Sequence, residues 1–430
     1  MMGSLGHLLV GLIDDIMVGR LGPVELAATS LGNSLIFIAL SIGIGFSFAL
    51  TPLIAESDGE GDKEKGRSIF QHGMLLCTIM GIVMFILLLF IKPILYHLDQ
   101  PEEVVVLAIP YYEIVALSMI PLMIFQGFKQ FTDGLSQTKY AMYATIMANI
   151  INVLLNFALI YGIWIFPRLE IVGAAIGTLI SRFAMVLFIY LVLSKKEKFA
   201  IYLKRIQINE FKKSVIKRIS GLGFPTALQM LFEVGLFTAS VLLAGTLGAF
   251  PQAANQIALK LASTTFMIAV GVGVASTVRV GNQKGLRNYK ELRRIAFSNF
   301  LLILLIMSTF TIGFILLKDI LPWVFTDNKE VIGIASSLLI VAGLFQLSDG
   351  LQAVILGGLR GLQDVNIPSV ITFIAYWIIG FPICYILLKE LGTLGIWIGL
   401  LSALTSSALM LFLRFNYLSN KLIETKNETT

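Results

Sequence analysis

Apolar runs of about 20 residues recur along almost the whole of this 430-residue chain, and that is the length a helix needs to cross the hydrocarbon core of a bilayer. Divided at charged or Gly/Pro-rich breaks, the runs fall near residues 1–19, 30–54, 69–92, 104–126, 140–164, 170–193, 219–247, 253–278, 295–317, 331–358, 367–388 and 392–413. The expectation is an all-α integral membrane protein with twelve transmembrane helices. Pro121, Pro225, Pro382, Gly271 and Gly273 inside these runs would disrupt a soluble helix, but neighbouring spans in a bundle re-satisfy the freed backbone groups. Charged residues make up only 13% of the chain, about half the usual soluble share. That balance excludes a secreted disulfide scaffold, a disordered chain and a soluble nucleic-acid binder, despite a net charge of +6. Cys77 and Cys384 stand apart inside apolar runs and read as packing residues, with no metal-ligand spacing around them. Asp14 and Asp15 interrupt the first run, so it does not read as a cleavable signal peptide.

The positive charge reports topology. With the N-terminus inside, the cytoplasmic loops hold twenty-four Lys and Arg against six on the other side, so both termini are expected in the cytoplasm. The longest basic stretch, 194–218, reads as a solvated or headgroup-facing linker. It separates a six-helix lobe at 1–193 from a second at 219–413, with a tail at 414–430. The two halves repeat one another 226 to 228 positions apart: Gly19 and Gly22 against Gly245 and Gly248, Ala27–Ala28 against Ala253–Ala254, Gly43 and Gly45 against Gly271 and Gly273, Glu103 against Glu330, and Gly134 against Gly361. Six spans per half return the chain to the same side, so the repeats are parallel and are expected to enclose a central cavity.

A carboxylate at the bilayer centre costs on the order of 3 kcal/mol on insertion scales, so each needs a partner, a cavity or a bound cation. The acids inside spans are Asp14, Asp15, Glu113, Glu233 and Asp349. Successive helical residues lie about 100° apart, so Asp14 and Asp15 cannot share one narrow site, and Asp15 is expected at the interface. Asn152 and Asn156 share a helix face; with a carboxylate from another helix they make an oxygen cage for a sodium ion or a proton, or else they bond a neighbouring helix. In the second half, Gln229 precedes Glu233 by one turn, Gln346 and Gln352 flank Asp349, and Lys260 reads as a counter-ion for either acid. Phe232, Phe266 and Phe345, with Gln229 and Gln256, are candidate cavity residues, since aromatic walls hold flat or quaternary cations; at helical spacing they also fit plain packing. A cation held by such acids excludes a second cation, which is the minimum requirement for exchange.

Three segments carry a family resemblance: GLIDDIMVGRLGPVELAATSLGNS, QAANQIALKLASTTFMIAVGVGVASTVRVGNQKG and QLSDGLQAVILGGLRGLQD. With the internal repeat, the chain resembles the multidrug and toxic compound extrusion (MATE) family, NorM-like branch. The resemblance implies a two-lobed antiporter that expels cationic or amphipathic organic compounds by alternating access, in exchange for Na⁺ or H⁺ and without a cofactor. It implies an N-lobe cation site at Asp14, Asn152 and Asn156, and a C-lobe cation and substrate site at Glu233 and Asp349. Lys260 departs from the family pattern, in which an uncharged amide is common at that position. A monomer is expected, working in lipid with small organic cations and no nucleic acid. The alternative within the superfamily is a flippase or exporter of a lipid-linked oligosaccharide or a metabolite. A pyrophosphate-bearing substrate would call for a strongly cationic cavity, and only Lys260 and Arg182 lie inside spans. An intramembrane enzyme would need a Gly-x-Gly-Asp or Asp-Asp-x-x-Asp cluster, and Asp14–Asp15 is followed by Ile16, Met17 and Val18.

Overall fold

The computed structural model describes residues 11, 13–98, 100–163, 166–203 and 210–429, and no strand occurs among them. The helices, in chain order, are α1 (13–19), α2 (Pro23–Ser47), α3 (Leu50–Glu60), α4 (Lys63–Ile91), α5 (Glu102–Leu117), α6 (Met119–Gly134), α7 (Lys139–Tyr161), α8 (Glu170–Ser194), α9 (Glu197–Ala200), α10 (Lys213–Gly245), α11 (Ala249–Gly285), α12 (Tyr289–Leu316), α13 (Lys329–Gly361), α14 (Asn366–Phe373), α15 (Phe381–Leu391) and α16 (Thr393–Thr429). Among the described residues, eleven spans are long and apolar enough to cross a membrane. The first expected span, 1–19, lies mostly outside the described residues, and α1 is its described end.

Prolines explain where single spans break into two helices. Pro52 cannot donate to the carbonyl one turn back, at Phe48, and α2 and α3 separate at Phe48–Ala49. Pro121 likewise leaves Leu117 without its partner, and α5 and α6 separate at Ser118. Before Pro382 the chain widens into a π-helical turn, Ile374–Gly380, which buries Tyr376. Glycine pairs do not interrupt the helices. At Gly357 a Cβ would meet the backbone of Gly273, so these two residues let α13 and α11 approach backbone to backbone, and Thr277 Oγ1 donates to the Gly357 carbonyl at 2.9 Å.

The contacts divide the chain into two compact units, Met2–Ala227 and Leu228–Thr430. The sequence repeat returns as repeated local geometry. A left-handed residue ends the helix before the third element of each half, Gly61 (φ 73°) and Arg287 (φ 55°), and is followed by an Asx cap. Asp62 accepts from the Lys65 amide at 2.9 Å, and Asn288 from the Glu291 amide at 3.3 Å. The helices that end at Gly134 and Gly361 are followed by left-handed Ser136 (φ 58°) and Gln363 (φ 64°).

The basic stretch is not simply solvated. Its described parts are clasped to the first unit: Phe199 is fully buried against Phe131 and Tyr140, and Arg67 pairs with Glu210 at 2.8 Å. Arg218 pairs with Glu56 at 2.6 Å, and buried His72 accepts from the Lys212 backbone N–H at 3.0 Å. The aromatic residues and acids between the lysines produce this docking, which charge alone did not foretell.

Candidate cation-binding sites

In the first unit, α7 presents Asn152 and Asn156 from one buried face, as the four-residue spacing requires. Asn156 Nδ2 donates to Asp14 Oδ1 at 2.7 Å and to Asn152 Oδ1 at 3.3 Å, and Asn152 Nδ2 reaches Thr178 Oγ1 at 3.4 Å. Asn156 Oδ1 is buried without a hydrogen-bond donor among the described residues. Gly177 makes room for it, because a Cβ there would run into that oxygen. Asp14 is half-buried and Asp15 exposed, the division that the 100° spacing predicts.

Arg182, on α8 and one of the two cations expected inside spans, joins this site. Its Nη1 donates to Ser118 Oγ at 2.6 Å, and its charge lies close enough to act on Asp14. The break made by Pro121 supplies that partner, because it turns the Ser118 hydroxyl into the end of α5. Tyr111 lies nearby, donating to Asn33 Oδ1 at 3.1 Å. Glu113 is not part of the site; it forms a 2.6 Å ion pair with Lys92, and both side chains are a third or more exposed.

In the second unit, Asp349 is buried on α13 between Gln346 and Gln352, both also buried. Gln346 Oε1 accepts from Thr265 at 2.8 Å, and Gln352 Nε2 donates to the Tyr376 hydroxyl. Asp349 Oδ1 and Gln352 Oε1 are buried acceptors with no donor among the described residues. Glu233, on α10, is near enough for its charge to act on Asp349, on Tyr376 and on Arg360. The π turn before Pro382 delivers Tyr376 to this network.

Arg360, and not Lys260, is the cation whose charge reaches Glu233. Lys260 is exposed and its side chain forms no ion pair among the described residues. It lies five residues before Thr265, the α11 residue bonded to Gln346, and is therefore about 140° away around that helix. Arg360 lies beyond the 331–358 apolar run, on the cytoplasmic side by the charge count, yet α13 continues to Gly361 and includes it. Its Nη2 donates to Gln229 Oε1 at 3.2 Å, and Gln229 Nε2 donates to Ser369 Oγ and to the Val365 carbonyl, each at 3.2 Å.

The other candidate cavity residues scatter. Phe345 is sealed in the core between Phe237 and Trp397, with ring centroids 6.1 and 5.4 Å away, so it packs rather than lines a cavity. Phe232 is partly buried against Phe373, Phe266 is partly buried, and Gln256 is exposed.

The family model for MatE matches residues 1–158 and 225–386, three quarters of the chain and both halves of the repeat. The chain belongs to the MatE family. Among curated relatives, this MatE protein is 32% identical over 427 residues to the multidrug resistance protein NorM of Photobacterium profundum, covering 97% of this chain and 93% of that one. It is 34% identical over 422 residues to the probable multidrug resistance protein NorM of Rhizobium meliloti, with 96% and 90% covered. To the multidrug resistance protein MdtK of Proteus mirabilis it is 33% identical, with 94% and 90% covered. Its fold superposes on a crystal structure of MATE in complex with MaL6 with a TM-score of 0.89 at 22% identity, covering 99% of this chain and 95% of that one. A MOP superfamily transporter from Pyrococcus furiosus gives 0.87 at 22% identity, with 98% and 94% covered. The protein is thus a multi-pass membrane transporter and not an enzyme.

Proposed function

We propose that this MatE protein exports amphipathic organic cations in exchange for a single monovalent cation, a proton or a sodium ion, and that the exchange centres on Asp349. The observation that carries this reading is a count of charge around the buried acids. In the second unit Glu233 and Asp349 are near enough to act on one another, and the guanidinium of Arg360 acts on Glu233 but not on Asp349, so the charge of Asp349 has no counter-ion among the described residues. It falls on a side chain whose Oδ1 is buried and has no donor among the described residues. A proton, a sodium ion or a cationic substrate can cancel that charge, but two of them together cannot, because unit charges 4 Å apart repel by roughly 4 kcal/mol at an effective dielectric of 20. Competition for one negative charge is what an antiporter requires. Entry of one cation down a potential of 100 mV yields about 2.3 kcal/mol to expel the other compound.

The names of the relatives, multidrug resistance proteins, support the substrate class. The cytoplasmic placement of both termini, a monomeric transporter and a central cavity that opens alternately to the two sides belong to the same proposal. The scarcity of intramembrane cations weighs against an anionic lipid-linked sugar.

Efflux of a cationic dye from vesicles containing the full chain, under an imposed proton gradient and separately an imposed sodium gradient, tests this. Movement under one of them names the coupling ion. Movement under neither, with the protein folded, overturns antiport.

A further inference from the structure

Away from both acid clusters, a cleft of about 450 Å³ opens between α11 and α12. Arg279 lines it from α11 and Arg294, Glu291, Ser298 and Asn299 from α12, with Ala275 and Ile295 as its apolar residues. Arg279 is exposed and makes no hydrogen bond or ion pair among the described residues. Arg294 is also exposed, and its one acid neighbour, Glu291, is 3.6 Å away, a distance at which an exposed pair contributes little. Asn299 Nδ2 is a buried donor with no acceptor among the described residues. Two underused guanidiniums and an orphaned amide donor call for an oxyanion between them. Of the other basic side chains nearby, Arg293 is committed to Asn416 and Ser419 and Lys284 to the Leu362 carbonyl, while Lys290, one turn before Arg294, is exposed and does not line the cleft.

The same face of α12 says what carries the oxyanion. Arg294 and Ser298 continue, at helical spacing, into the exposed Leu301, Leu302 and Leu305. A charged end running directly into an exposed leucine column has the profile of a phosphate headgroup with acyl chains beneath it. We propose that this cleft binds an anionic phospholipid, its phosphate held by Arg279, Arg294 and Asn299 and its chains lying along the leucines. Basic clefts between membrane helices recognise acidic headgroups on these terms.

The test uses the full chain in phosphatidylcholine nanodiscs, challenged with phosphatidylglycerol and read by native mass spectrometry of retained lipid. One phosphatidylglycerol is retained in preference to phosphatidylcholine, and the Arg279→Gln/Arg294→Gln double variant binds it about thirtyfold more weakly. Asn299→Asp, nearly isosteric but adding a carboxylate to the cleft, loses the lipid too and carries the test if the double variant does not fold. Lys290→Gln removes an exposed positive charge that does not line the cleft and changes retention less than twofold. Undiminished retention in the cleft variants overturns the site, as does an equal loss with Lys290→Gln, which would mean diffuse attraction. Displacement by millimolar inorganic phosphate overturns the lipid assignment and makes this a soluble-anion site.

Discussion

The two halves of the repeat bury acids in opposite ways. In the first unit one carboxylate, Asp14, has one guanidinium, Arg182, within reach of its charge, and accepts a hydrogen bond from Asn156. The half-buried acid of that site therefore has a counter-ion, while Asp15, whose charge also acts on Asp14, is exposed. In the second unit Arg360 acts on Glu233 but not on Asp349, and Asp349 is the more deeply buried acid. The same architecture thus holds one acid with a counter-ion and one, Asp349, with none among the described residues. Burial of a charge is tolerated when it is paired, and becomes useful for exchange when it is not.

Asp349→Asn is the sharpest way to break this contrast. It removes the charge that lacks a counter-ion while keeping the shape, and gradient-driven dye efflux is expected to fall to background while insertion is unchanged; wild-type rates would collapse the distinction. Arg360→Gln follows. It leaves Glu233 without its guanidinium, and loss of one partner from a buried charge pair costs on the order of 3 kcal/mol, read as a lower melting temperature in detergent. Unchanged melting would mean that Arg360 is not the counter-ion. Gly177→Ala places a methyl group against Asn156 Oδ1 and is expected to cost about 1–3 kcal/mol of stability, as overpacking does. Asp14→Asn has the smallest effect on exchange. It retains an acceptor for Asn156 and is expected to slow efflux only a few-fold without altering how many cations are exchanged. A full loss of coupling there would equalise the two lobes.

Most of the architecture was legible because membrane energetics is severe: an apolar run of span length has few alternatives, and an acid within one stands out. Asp14, Asn152 and Asn156 come together as the shared face of α7 implies, and Glu233 and Asp349 are close enough to feel each other's charge. The counter-ions were harder to read. Arg360 lies just past the end of the 331–358 apolar run, and only the continuation of α13 to Gly361, beyond the close approach of Gly357 to α11, brings it to Glu233. Arg182 had no sequence neighbour to mark it, since its partners come from α1 and the proline-broken end of α5. Lys260 shares a span with Thr265 yet faces elsewhere, because a charge pattern without a known buried face does not orient a helix. Phe345 was equally ambiguous, as an aromatic at helical spacing fits a core or a cavity wall alike, and here it fills the core. The repeat, too, is deeper in backbone than in side chains: left-handed Arg287 occupies the turn that Gly61 makes without strain.

The claim of one charge without a counter-ion, located at Asp349, is tested most directly by counting the cations displaced when a cationic dye binds the purified full-length protein, with protons followed in weak buffer and sodium by isotope. One cation released per dye in the wild type and in Asp14→Asn, and none in Asp349→Asn, is the predicted result. Release that survives Asp349→Asn, or that disappears in Asp14→Asn, would contradict it.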